Sequence, residues 1–159
     1  AMRVIEILID RKPGTPYSKD NPLVVELGKG EHQITSGWNG CQITLGITRS
    51  NVTFLGKGKD ETTILGSLRI ENQKNIAFKQ MTMTSANYTE DHSGDGIYLC
   101  DAEVELMHVR IIQFSSAALC VERSYPGSRS VLVATKCKFT DCRYGVFVAN
   151  LNGKFTNWR

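Results

Sequence analysis

The feature that most constrains this chain is a repeat of apolar positions between Asn51 and Val148. Val52 and Phe54 open one copy, Ile76 and Phe78 a second, Val104 and Leu106 a third, and Val131 and Val133 a fourth. Aligning Val52, Ile76, Val104 and Val131 gives spacings of 24, 28 and 27 residues. Aligning Leu68, Ile97, Leu119 and Val146 gives 29, 22 and 27. Two ladders with nearly one period indicate stacked structural repeats, a solenoid. Each period holds three short alternating segments rich in Val, Ile, Thr and Phe, with no helical stripe between them. Three strands per turn, each paired in parallel with its copy one turn on, make an all-β, single-stranded parallel β-helix.

That architecture assigns side chains to faces. Leu68, Ile97, Leu119 and Val146 form one inward column, and Met81, Val109 and Cys137 part of another. By strand alternation, Arg69, Tyr98, Cys120 and Phe147 form an outward column. Glu71, Cys100, Glu122 and Ala149 form the next. Asn51 and Asn75 precede corresponding strands and are expected to stack their amides at a turn. That ladder is expected to stop there, with Glu103 and Ser130 in the next two places.

Before the repeat, residues 3–11 fit either a short amphipathic helix or a strand. Residues 12–21, with two prolines and a glycine, read as a loop. Strands are expected at 23–27, 31–35 and 42–45. The 159 residues suffice for one domain, 3–159, with Ala1-Met2 read as an expression scar. Residues 153–159 look like a coil that stops early, and an uncapped solenoid end invites end-to-end association. Trp38 and Trp158 read as caps on the core.

The formal charge of +3 is small and shows no clustered basic stripe, so no nucleic-acid partner is expected. No run reaches the roughly 18 apolar residues of a membrane helix, so no membrane partner is expected either. Five cysteines, an odd number without a CxxC pair, read as reduced thiols. With no secretory signal pattern, this points to the cytoplasm. The sequons at Asn51 and Asn87 matter only for a secreted chain.

Several stretches resemble the pectin-lyase-like right-handed parallel β-helix family. They are Leu23-Val24-Val25-Glu26-Leu27-Gly28-Lys29-Gly30-Glu31-His32, Ser50-Asn51-Val52-Thr53-Phe54-Leu55-Gly56-Lys57-Gly58 and Thr63-Ile64-Leu65-Gly66. Gly94-Asp95-Gly96-Ile97-Tyr98 and Tyr144-Gly145-Val146-Phe147-Val148 resemble its generic coil repeat. The likeness covers residues 3–156. It implies right-handedness and an N-terminal cap helix. It does not choose a chemistry, because the family holds pectate lyases, pectin esterases, polygalacturonases, epimerases, phage tailspikes and non-catalytic repeat domains.

The longest insertion between strands, 85–96, carries Glu90, Asp91, His92 and Asp95. These are the catalytic candidates. The carboxylates suit acid/base work on a glycosidic bond, or calcium, the cofactor expected only if the chain is an enzyme. Against this, Asp-Gly-Ile is an ordinary entry into a strand, and acidic loops are usually just solvated. The Asn-Thr-Asp, Asp-Asp and Gly-His-Gly segments of polygalacturonases are absent, as is the Gly-Phe-x-Asp-Thr segment of pectin esterases. The carboxylates are not arrayed beside Arg69 or Arg110 as a pectate-lyase site requires. No metal cluster is expected, and His32 and His108 have no ligand-like neighbours.

The binding candidates lie on the outward face: Arg69, Glu71, Tyr98, Glu122 and Phe147. Rings suit the apolar faces of sugars, and Arg and Glu suit hydroxyls or peptide groups. The bland alternative is a sheet covered by a neighbouring loop or partner. The expected function is a non-catalytic β-helix module that binds a polysaccharide or a protein. The alternatives are a polysaccharide lyase, hydrolase or epimerase with a divergent site near Glu90–Asp95, and a structural repeat segment of a larger protein.

Overall fold

A computed structural model describes residues 17–35, 44–85 and 94–149, together with the backbone of 156–158. The N-terminal stretch 3–11, Trp38 and Cys41 lie outside these residues. Every described element is a strand. In chain order they are β1 (Leu23–Glu26), β2 (Gly30–Gln33), β3 (Thr44–Ile47), β4 (Val52–Leu55), β5 (Thr62–Leu65), β6 (Ser67–Glu71) and β7 (Ile76–Thr84). There follow β8 (Ile97–Cys100), β9 (Glu103–Ile112), β10 (Ala117–Glu122), β11 (Val131–Thr135), β12 (Lys138–Thr140), β13 (Tyr144–Val148) and β14 (Thr156–Trp158).

The strands form three parallel ladders. The first runs β1, β4, β7, β9, β11. The second runs β2, β5, β7, β9, β12. The third runs β3, β6, β8, β10, β13. Each coil contributes one strand to each ladder, and four full turns separate β1 from β11. This is the parallel β-helix expected from the repeat. β7 and β9 serve two ladders because each bends at a single left-handed residue, Gln80 (φ 59°) and His108 (φ 55°). Lys136 (φ 54°) makes the same bend between β11 and β12. A single left-handed residue turns the strand sharply while leaving regular strand on either side.

The inward columns are the core. Leu68 pairs with Ile97, Ile97 with Leu119 and Leu119 with Val146, as the sequence predicts. Met81 pairs with Val109, and Cys137 takes the place beyond it, next to the Lys138–Arg110 pair. Phe54 and Phe78 pair in the first ladder, both fully buried, with rings 5.0 Å apart and 6° from parallel.

The fourth copy of the repeat is corrected by one residue. Leu132, not Val131, pairs with Val104. Leu132 packs against the core, whereas Val133 is 50% exposed. A one-residue slip moves every side chain to the other face, so Val133 is an outward residue. The physical reason is the corner. Val52, Ile76, Val104 and Leu132 each lie four positions before the corner, which is Gly56 in one coil and the left-handed Gln80, His108 and Lys136 in the next three. Val131 also takes the place assigned to Ser130 in the asparagine column.

That column is otherwise as expected. Asn51 and Asn75 adopt φ of 61° and 55°, and Asn75 Nδ2 donates to Asn51 Oδ1 at 3.0 Å. Asn51 Nδ2 in turn donates to the Tyr17 carbonyl at 3.0 Å. Asparagine tolerates the left-handed region and its amide donates back to the preceding coil, so one residue type meets both demands. Asn51→Ala is expected to lose about 2 kcal/mol of stability and Asn51→Gly about 1, since glycine relieves only the backbone term. Urea unfolding of the two variants checks this, and equal losses would mean that the hydrogen bonds contribute everything.

Candidate functional site

The outer face of the third ladder collects the sequence's binding candidates. β6 places Arg69 and Glu71 outward, β8 places Tyr98 and Cys100, and β10 places Cys120 and Glu122. The registers Arg69 to Tyr98, Tyr98 to Cys120 and Cys120 to Phe147 put them in the expected column. Glu71, Cys100 and Glu122 form the second column beside it.

These side chains join in one network. Arg69 Nη2 approaches Glu71 Oε1 at 2.5 Å, and Nε donates to the same oxygen at 2.9 Å. The Arg69 guanidinium lies over the Tyr98 ring, 4.1 Å from its centroid. The Tyr98 hydroxyl donates to Glu122 Oε2 at 2.5 Å. Strand pairing explains the contact: Arg69 and Tyr98 are direct neighbours in a parallel ladder, close enough for a cation to cover a ring.

Partial burial of this patch sets its electrostatics. It pushes the Tyr98 hydroxyl well above its ordinary pKa, and the hydrogen bond to the Glu122 carboxylate pushes it further. Burial opposes the Arg69 charge, but the hydrogen bond and charge of Glu71 outweigh it and raise the pKa. Burial raises the Cys100 thiol, helped by Asp101. Arg69 and Glu71 keep about a third of their side-chain surface in solvent, at 34% and 31%. The patch is therefore a charged, ring-backed surface with its polar groups already held in position.

Cys120 differs from its column. It is only 4% exposed. Burial, then the nearby carboxylates of Asp95 and Glu122, push its thiol up to about 12. It is protonated at neutral pH and forms the floor of the patch rather than part of its surface.

One coil on, Tyr144 and Phe147 set their rings 5.7 Å apart, and the Arg143 guanidinium lies 5.4 Å from the Tyr144 ring centroid. Phe147 was legible as an outward residue, but Tyr144 was not. It starts β13, paired with the buried Ala117 and two residues before the inward Val146, so strand alternation assigns it to the inner face and gives no sign of its contact with Phe147.

Of the catalytic candidates, Glu90, Asp91 and His92 lie outside the described residues. Asp95 lies at the entry to β8, and its Oδ1 accepts a hydrogen bond from the Ala117 amide at 2.9 Å. That bond ties the turn before β8 to the start of β10. Among the described residues, no group of three or more His, Cys, Asp or Glu side chains is arranged to hold a metal ion. A carboxylate that sequence reasoning passed over, Asp101, caps a turn. It accepts from the Ser124 amide at 3.4 Å and from the Ser124 hydroxyl. Hydrogen bonds from Ser124 and Ser128 hold its pKa below the usual value. These bonds tie the 123–130 turn to the end of β8.

No protein-family model, curated protein or solved structure matches this chain.

Proposed function

We propose that this β-helix is a non-catalytic carbohydrate-binding module, allied to the non-catalytic repeat domains of pectin-lyase-like proteins. Its recognition surface is the outer face of β6, β8, β10 and β13. The observation that carries the reading is the Arg69–Glu71–Tyr98–Glu122 network. A surface whose hydrogen-bonding groups are held in place binds with less ordering entropy than one that must assemble. Planar guanidinium and ring groups suit the flat face of a sugar, and the flanking carboxylates suit its hydroxyls. Both glutamates are already engaged, Glu71 by arginine and Glu122 by a phenol, which favours holding a ligand over transferring protons. The Tyr144–Phe147 pair extends the face by one coil.

The test is a glycan array probed with the full chain, then with Arg69→Ala and Tyr98→Ala. Each substitution is expected to weaken binding at least about tenfold, equivalent to roughly 1.4 kcal/mol. Both residues are half-exposed, so circular dichroism should be unchanged. Binding of no glycan sinks the reading, as does binding indifferent to both substitutions. Release of shortened or unsaturated products from a uronic-acid polymer replaces it with the enzymatic alternative.

A further inference from the structure

The outer face of β6, β8 and β10 holds more carboxylates than its arginine cancels. Glu71, Cys100 and Glu122 form its second column, so the two glutamates stand two strands apart. Two spacings of about 4.8 Å separate their backbones. Glu71 commits Oε1 to both Nε and Nη2 of Arg69, and Glu122 commits Oε2 to the Tyr98 hydroxyl. Among the described residues, nothing donates to the second oxygens, Glu71 Oε2 and Glu122 Oε1. Arg69 and Glu71 neutralise one another, while Glu122 is held only by an uncharged phenol. Two more carboxylates border the face. Asp101 follows Cys100 at the end of β8, and Asp95 lies at the entry to β8, beside Cys120.

The other cations stand at the margins. Arg49 lies two residues beyond β3, Arg123 and Arg129 belong to the turn after β10, and Arg143 precedes β13, near the Tyr144 ring. The segment 85–96 between β7 and β8 holds Glu90, Asp91, His92 and Asp95 and no Lys or Arg. The groups at the centre of the face respond to the same balance. Burial first, then the charges of Asp101, Glu122 and Glu71, raise the Cys100 thiol. Burial first, then Asp95 and Glu122, raise the Cys120 thiol, and Arg69 is the one charge acting in the opposite sense. The centre therefore lies in a negative field that Arg69 only partly offsets.

Resting on the reading that this face binds carbohydrate, we propose that its ligand is a glycan of amino sugars with free ammonium groups, and that it excludes uronic-acid and sulfated glycans. An ammonium is a compact charge with three donors, so it satisfies the open oxygen of Glu71 or Glu122 from many angles. A uronate brings another carboxylate against these two, and like charges set against each other across an interface are costly. It also needs an arginine fork, and the Nε–Nη2 edge of Arg69 is already held by Glu71. Arg69 and Glu71 keep only about a third of their side-chain surface in solvent, at 34% and 31%, so salt screens these charges less than it would on an open surface. Stacking on a ring or guanidinium serves any pyranose, so charge rather than shape separates the classes.

Charge-matched glycans test the proposal on the full chain. The glycans bound on an array are expected to carry free amino groups, with no uronic-acid or sulfated glycan among them. In calorimetric titration, an oligomer of β-linked glucosamine is expected to bind at least about tenfold tighter than its N-acetylated counterpart, and added salt to shrink the difference. Glu71→Gln and Glu122→Gln keep the size and an acceptor oxygen but remove the charge. Each is expected to cut the glucosamine preference about threefold or more. An array whose bound glycans are neutral or acidic overturns the proposal, as does equal affinity for the two oligomers or no affinity for the glucosamine one. So does a preference that neither glutamine variant changes. In each of these cases glycans still bind, and only the assignment of ligand class fails. Binding of no glycan at all defeats both the assignment and the reading beneath it.

Discussion

Gly56→Ala is expected to lower the unfolding free energy by about 3 kcal/mol or more, a large share of the roughly 5–15 kcal/mol that holds a domain together. Gly56 follows β4 at the corner into the turn before β5. A Cβ there would stand 2.3 Å from the Gln80 carbonyl oxygen of the next coil and about 3 Å from the Thr62 side chain. The oxygen cannot move aside. Gly58 N–H donates to that same carbonyl at 3.0 Å, and Gly56 N–H donates to the neighbouring Lys79 carbonyl at 2.9 Å. Relief therefore requires two coils to part by about an ångström, which stretches bonds along both ladders. Gly28→Ala is the control, since a Cβ there meets nothing within 4 Å. It is expected to change stability by less than about 0.5 kcal/mol. Thermal melts of the two variants, compared with the wild type, give the answer. A Gly56→Ala loss as small as that of Gly28→Ala would mean that the coils separate easily, against the tight stacking described above.

The same corner explains how much was legible in the sequence. The third ladder was read correctly because β6 and β8 alternate clearly, with Leu68 and Ile70 or Ile97 and Leu99 facing in and Arg69, Glu71 and Tyr98 facing out, and the period then carries Leu119 and Val146 into the same column. The fourth copy of the first ladder was not, because Val131, Leu132 and Val133 are all apolar and either alternation satisfies the pattern. The constraint that decides is distance to the bend. Met81, Val109 and Cys137 were already in one column, and a constant corner length places Leu132 five residues before Cys137. The bends themselves were hidden. Gln80, His108 and Lys136 share a left-handed conformation but no chemistry, and none is the glycine or asparagine that usually marks it. For the site, alternation gave the outward column, which brings Arg69 to Tyr98. It could not give the burial of Cys120, which depends on neighbours in adjacent coils and on Asp95, or the bond from Tyr98 to Glu122, which depends on reach across a strand.

Phe78→Ala is expected to be as damaging as the corner substitution, at about 3–5 kcal/mol. Phe78 sits in the inward column Val25, Phe54, Phe78, Leu106, Ala134. Its ring stacks on Phe54 and both are fully buried. Core truncations are mildest where the surroundings collapse into the space. Collapse is resisted here, because backbone hydrogen bonds on both sides of β7 fix the coil spacing and hold Phe54 and Leu106 apart. The void stays open, and the loss belongs at the upper end of the range. In urea the transition midpoint should fall with its slope unchanged, because the surface exposed on unfolding hardly alters. Phe78→Leu refills most of the volume and should recover more than half of the loss. A double-mutant cycle with Phe54→Leu then isolates the ring stack, expected at about 0.5–1.5 kcal/mol beyond burial. If Phe78→Ala instead flattened the urea slope, the coils on either side of the void would be unfolding separately. The cooperativity of the solenoid would then rest on this aromatic column rather than on its hydrogen-bonded ladders, since a stack of nearest-neighbour units is only as cooperative as its weakest junction.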